Sequence, residues 1–256
     1  VVINVVLDIL FIALFGMGVA GAAYATVVSQ AASGVACLVY IRARVPALRL
    51  RRGDLRPNLR RMLYIASVGV PMGLQFSITA VGSIILQSAV NGLGAAAVAA
   101  VSAGSKVHNI VAAPLETAGV AMATYCGQNL GAGELGRIRS GVKSVTAVAM
   151  VYCLLALAVN YFGGAAIACL FVDASESAVL AQVRDYLTVL GLCYPLLALI
   201  FIFRNSLQGM GFSSSAMLAG AAELVARALV AFGFVGRFAF GAGSAANPVA
   251  WLFADL

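Results

Sequence analysis

MLYIASVGVPMGLQFSITAVGSIILQSAVNGLGAAAVAAVSAGS, residues 62 to 105, runs without one Asp, Glu, Lys or Arg. A bilayer span takes about 20 apolar residues. The stretch therefore holds two spans, with Asn91-Gly92-Leu93-Gly94 as the turn between them. Its apolar residues are continuous rather than alternating, which predicts helices and not the strands of a membrane barrel. Further charge-free runs cover 9–41, 144–172, 186–203 and 205–222, the last two divided only by Arg204. Of 256 residues, 62% are hydrophobic and 10% charged, with mean hydropathy +1.02. A soluble domain carries about 25% charged residues, so a soluble core with a wet surface is excluded. The chain is expected to be all-α, a polytopic membrane helical bundle of about eight transmembrane helices.

Working outward from 62–105, helices are predicted at about 1–15, 20–41, 62–90, 95–126, 142–162, 186–210 and 213–236, with a last one from about 247. Between the second and third lies RARVPALRLRRGDLRPNLRR, residues 42 to 61, with eight arginines against Asp54. A second polar link, GQNLGAGELGRIR from 127 to 139, brings Arg137 and Arg139, with Lys143 just beyond. The turns at 16–18 and 91–94 hold no Lys or Arg, and loop 163–185 sets Asp173, Glu176 and Asp185 against Arg184. This asymmetry predicts that 42–61 and 127–141 face the cytoplasm of an inner (plasma) membrane. The net charge of +7 then reflects topology and contact with anionic lipid headgroups rather than nucleic acid. Cys37, Cys126, Cys153, Cys169 and Cys193 show no metal spacing and are read as small helix-packing residues. The first and last residues both fall inside apolar helices, so the chain is expected to be a piece of a longer protein.

An ionisable group inside a membrane is costly, so each one is a functional candidate. Asn4 and Asp8, in NVVLDILFI, share one helix face at i,i+4 spacing. Asp8 lies eight residues before Gly16, about 12 Å from the helix end at 1.5 Å per residue. Thr26 lies eight residues after Gly18 on the returning helix and so falls at similar depth. Carboxylate, amide and hydroxyl together can accept a proton or help hold a cation. The alternative is a structural hydrogen bond tying two helices. Glu223 and Arg227 form a second i,i+4 pair, either a mutually neutralising bridge or part of a binding site. Glu116, two residues after Pro114, and Lys106 on the same helix are possible cavity-lining groups. Arg204 sits near a helix end, where it can snorkel, and His108 is read as polar packing.

No phosphate-loop, zinc-protease or nucleophile-elbow motif is present. The chain is therefore not expected to be an enzyme, and no cofactor or metal is expected. Energy for work would come from an ion gradient or from a partner.

A polar pair precedes Gly16-x-Gly18-x-Ala20, and another precedes Gly241-x-Gly243-x-Ala245, an echo of the repeated halves common in transporters. Several stretches then carry a specific likeness. These are NVVLDILFIALFGMGVAGAAYATVVSQ (4–30), GVPMGLQ (69–75), PLETAGVAMATYCGQNLGAGELGRIRSG (114–141) and SLQGMG (206–211). In this order and spacing they resemble the multidrug and toxic compound extrusion (MATE) family of secondary transporters. The resemblance covers essentially the whole chain and matches it to the family's fifth to twelfth helices. It implies a twelve-helix, two-lobed fold. Residues 1–41 would be the last two helices of the first lobe, 42–61 the linker, and 62–256 a second lobe truncated in its last helix. It implies export of amphipathic or cationic drugs in exchange for H⁺ or Na⁺ by a monomer in the lipid bilayer. Asn4, Asp8 and Thr26 match the Asn, Asp and Thr that help form one branch's cation site. The family's partner acid on the first helix lies outside the chain, and the seventh-helix acid of another branch has no counterpart in 62–90. A flippase of lipid-linked sugar precursors, sharing the two-lobed architecture, is the alternative, favoured if basic residues line the cavity.

Overall fold

The computed structural model describes residues 1–49, 57–173, 175–233 and 235–255. The central arginines of the 42–61 loop, within 50–56, lie outside the described residues. All regular structure among the described residues is helical. The chain forms two compact units, Val1–Met62 and Leu63–Leu256.

The first unit is a helical hairpin. Helix α1 (Val2–Asp8) continues without a break into a π-helical segment, Ile9–Leu14. The chain reverses at Gly16 and Gly18, whose φ angles of 65° and 55° suit glycine and strain other residues. Helix α2 (Gly18–Arg44) returns along α1. Its buried residues, Gly21, Ala25 and Ser29, recur every fourth position and are all small, so the two backbones approach closely. A Cβ on Gly21 would stand 3.1 Å from Phe11. Arg42 and Arg44 end α2, where positive charge complements the exposed carbonyls. Helix therefore extends into the expected loop from this side. At its far side the Asn58 side chain accepts the Arg61 amide at 3.2 Å, as an N-cap does, and helix resumes at Leu59.

The second unit holds most of α3 (Leu59–Asn91) and all of α4 (Ala95–Gly131), α5 (Leu135–Ala158), α6 (Gly164–Ala168), α7 (Ser177–Leu192), α8 (Tyr194–Gly209), α9 (Ser213–Gly233) and α10 (Val235–Asp255). Helix α4 runs unbroken through Pro114 and packs on α5, α7 and α8, while α9 packs on α10. The seam between α4 and α8 is largely backbone, with the Asn205 side chain set against Gly119. Gly119, Ala123 and Gly127 face Phe201, Asn205 and Gly209. A Cβ on Gly127 would lie 2.9 Å from the Gly209 carbonyl, and one on Gly209 would collide with Ala123. Outward faces stay apolar: Phe162, Phe232 and Leu154 are 84%, 82% and 69% exposed. In water that would be a liability, and in a bilayer it is the expected surface.

All eight expected helical segments have counterparts, with shifted boundaries, but the single helix expected over 186–210 is broken at Cys193 into α7 and α8. The loop expected over 163–185 contains α6 and the start of α7, because α5 passes through a π-helical turn, Val159–Gly163, and continues to Ala168. The last helix begins at Val235, not near 247, since Gly241 and Gly243 do not interrupt it. The 127–141 link contracts to a tight turn around Ala132–Glu134. There Gly133 adopts φ 76° and the Asn129 side chain donates to the Tyr125 carbonyl at 2.8 Å. Among the described residues, four helical segments are long and apolar enough to cross a membrane alone. The α7–α8 pair, bent by 51°, makes a fifth. Val2–Leu14 is apolar but shorter, and α4 carries Lys106, His108 and Glu116 along its length.

Candidate functional site

In the first unit, Asn4 and Thr26 face each other across the hairpin, the amide nitrogen donating to Thr26 Oγ1 at 3.5 Å. The Thr26 hydroxyl spends its own proton on the Ala22 carbonyl at 3.0 Å, so its lone pair is what faces Asn4. Asp8 follows one turn later, half-buried, with no hydrogen bond or ion pair among the described residues. It is the last α-helical residue before the π segment begins. Such wider turns loosen the backbone ladder and are frequent at functional positions. The amide and hydroxyl are thus brought together, with the carboxylate beside them and unattached.

The second unit treats its acid differently. Glu223 on α9 is buried and held from two sides. Arg227, one turn on, reaches Oε2 at 3.1 Å, and Arg204 of α8 reaches Oε1 at 3.3 Å. Arg227 also donates to Asn247 of α10 at 3.3 Å and to the Thr79 carbonyl of α3 at 3.5 Å. Its stem passes Gly82, where a Cβ would stand 3.2 Å from Cδ. Beside this cluster, Gln208 donates to Gln75 at 2.7 Å. Four helices therefore share one buried polar network. Each charge in it has partners, which is the condition for burying ions at tolerable cost. Arg204 does not snorkel as its place near a helix end suggests: a buried acid one helix away offers more than a long reach to the headgroups.

Glu116 is exposed on α4, close enough to Arg204 for its charge to act on that guanidinium. Lys106 is exposed too, its ammonium 4.8 Å from the centre of the Phe171 ring. The two do not pair. Beside Pro114 a cavity of about 380 Å³ opens between α4 and α5, its walls including Ala118, Val148 and Tyr152.

Sequence reasoning did not find a third network. Tyr194, fully buried at the α7–α8 bend, binds His108 Nδ1 at 3.0 Å and accepts from Asn160 at 3.1 Å. Asn160 also donates to the Leu187 carbonyl from within the α5 π turn. His108 stacks on Trp251 with centroids 6.0 Å apart. The signal available was Asn160, the one amide in the run 144–172. Cys126 and Cys153 pack in the core, while Cys37 and Cys169 are exposed.

Residues 71–233 match the family model described as MatE. "Probable multidrug resistance protein YpnP" of Bacillus subtilis (strain 168) is 31% identical over 212 residues, 82% of this chain and 46% of the relative. Among solved structures, an outward-facing "multidrug resistance MATE family transporter of the MOP superfamily" superposes with a TM-score of 0.86 at 20% identity. That match covers 99% of this chain and 57% of the other. A MOP superfamily transporter from Pyrococcus furiosus, described as having a binding pocket of reverse polarity that suggests a different function, gives 0.84 at 20% identity. It covers 99% of this chain and 58% of the other. The chain spans about half the length of these relatives. With a helical membrane bundle, a family-model match across most of its length and a relative above 30% identity, this chain belongs to the MatE family of multidrug and toxic compound extrusion transporters.

Proposed function

We propose that the protein works as a secondary active efflux antiporter, expelling amphipathic or cationic drugs in exchange for protons or sodium. On this reading 1–41 supplies the last two helices of a first lobe, 42–61 is a cytoplasmic linker, and 62–256 belongs to the second lobe. The protein acts as a monomer in the plasma membrane, with 127–141 also cytoplasmic. One observation carries the reading. Asp8 is an unpaired carboxylate in an apolar hairpin, beside an amide and a hydroxyl, at the start of a π segment. A group that must gain and lose a cation in each cycle cannot be clamped by a permanent counter-ion. Asn4 and Thr26 offer neutral oxygens for a cation or water and orient the site. Glu223, by contrast, is held by two arginines, so it and Arg227 serve as a fixed strut. Glu116 and Lys106 stay available to line the substrate path.

The experiment is ethidium efflux from cells lacking their main pumps, comparing the protein at its natural length with Asp8→Asn at matched membrane levels. Efflux that collapses with the ion gradient and is abolished by Asp8→Asn is the expected result. A variant that matches the parent would remove Asp8 from coupling.

A flippase of lipid-linked sugar precursors is the second reading. It is favoured by the two arginines set against one acid in the Glu223 cluster. Failure of the well-expressed parent to move any of a broad dye panel would put it first.

A further inference from the structure

A second cavity of about 400 Å³ lies between α5 and α8, apart from the groups invoked above. Arg139, Val142 and Lys143 line it from α5, Phe203, Ser206 and Leu207 from α8, and Met210 from the residue that caps α8. Spacings of three, four and seven residues put the α8 set on one helix face, and Arg139 and Lys143 stand one turn apart on α5. The interior wall is hydrocarbon, and charge is confined to one end.

That end is at headgroup depth. Arg139 and Lys143 fall within about 6 and 12 Å of the start of α5 at 1.5 Å per residue, where the polar interface grades into hydrocarbon. The contact of Gly127 with Gly209 puts the end of α8 at the same level. The α4–α5 turn is also fixed, since the Tyr125 hydroxyl donates to the Arg137 carbonyl at 3.1 Å. The one acid of this turn, Glu134, is engaged by Arg137 at 3.9 Å. Arg139 and Lys143 have no ion pair or hydrogen bond among the described residues, and both are exposed. Two free cations at the end of an apolar channel complement one kind of molecule: an amphiphile with an anionic phosphate head and a long apolar tail.

We propose that the α5–α8 groove is a binding site for an anionic phospholipid of the surrounding leaflet, its phosphate between Arg139 and Lys143 and one acyl chain along Phe203, Leu207 and Met210. Basic pockets between membrane helices select anionic lipids through such charge. The arginine fork gives direction and the lysine adds a point charge. The site needs only membrane embedding and stands whether or not Asp8 couples transport.

The test is native mass spectrometry of the purified full-length protein in micelles, titrated with phosphatidylglycerol and, separately, phosphatidylcholine. Arg139→Gln and Lys143→Gln should each weaken phosphatidylglycerol binding roughly fivefold, and together roughly thirtyfold, leaving phosphatidylcholine unchanged. Met210→Trp, which fills the groove but keeps both charges, should also lose the lipid. Arg184→Gln, on α7, should have no effect, and melting temperatures report folding. Unchanged phosphatidylglycerol binding in the folded double variant would overturn the proposal. So would competition by soluble glycerol phosphate as effective as competition by lipid, because the groove would then contribute nothing. If Met210→Trp binds normally while the double variant does not, the charges hold a lipid outside the groove, and the site as drawn is wrong.

Discussion

Asp8 and Glu223 are both carboxylates on apolar helices, and the chain treats them in opposite ways. Glu223 is more deeply buried, and it is the one that is fully satisfied, by two guanidinium groups from two helices. Asp8 is half-buried and has no partner among the described residues. The hairpin around Asp8 offers only an amide and a hydroxyl, while the second unit sets two arginines on one acid and ties one of them to two further helices. Burial alone therefore does not mark a carboxylate as a working group. What separates the two is whether the fold has already supplied the counter-charge.

The strongest way to break this contrast is Glu223→Ala. It leaves the buried Arg227 and the half-buried Arg204 without their carboxylate and should cost about 3–5 kcal/mol, read from unfolding of the purified protein in micelles. A loss below about 1 kcal/mol, the worth of an exposed pair, would mean the arginines find other acids and Glu223 is no strut. A second test contrasts the two units in packing rather than charge. Gly209→Ala drives a methyl into the Ala123 backbone and should cost about 1–3 kcal/mol. Gly34→Ala in α2 has open space around it and should gain about 0.5–1 kcal/mol from helix propensity. Asp8→Asn, with no bond to lose, should change stability by less than about 0.5 kcal/mol, whatever it does to transport. A large loss there would reveal a structural role.

The smallest effect lies outside the spans. Asp173 accepts the Ser175 amide at 3.0 Å and its hydroxyl at 2.9 Å, and these bonds hold its carboxyl below the usual range. The stabilisation is complete above the unfolded pKa of about 4 and fades as pH falls through the lower folded value. Ser175→Ala should move the Asp173 midpoint part of the way up, as followed by NMR of the labelled carboxyl.

The helices were legible because charge-free runs of bilayer length have one economical solution. The turns at Gly16–Gly18, 91–94 and 131–134 were legible because glycine punctuates them. Within the site, the i,i+4 rule gave the Glu223–Arg227 bridge, which is local to one helix. Arg204 was misjudged because its partner lies 19 residues away on another helix, and position within a span says nothing of what faces it. The Tyr194–Asn160–His108 network stayed hidden for the same reason. Its members come from two helices and a π turn, and aromatic residues in apolar runs read as core. Helix continues through 163–168, where a loop was expected, because a π turn at Val159–Gly163 carries α5 past the expected end.

Along the seam of Gly119, Ala123 and Gly127 against Phe201, Asn205 and Gly209 the two backbones approach directly at Gly119, Gly127 and Gly209, and the one polar side chain between them, Asn205, is tied back to the Phe201 carbonyl at 2.7 Å. Sliding of α4 along α8 would press the Ala123 and Gly209 main chains against each other, where there is no room even for a methyl group. Whatever rocking the bundle performs, this pair travels as a single beam, and the hinges must lie elsewhere. Paired spin labels on α4 and α8 would keep a constant separation through the whole working cycle.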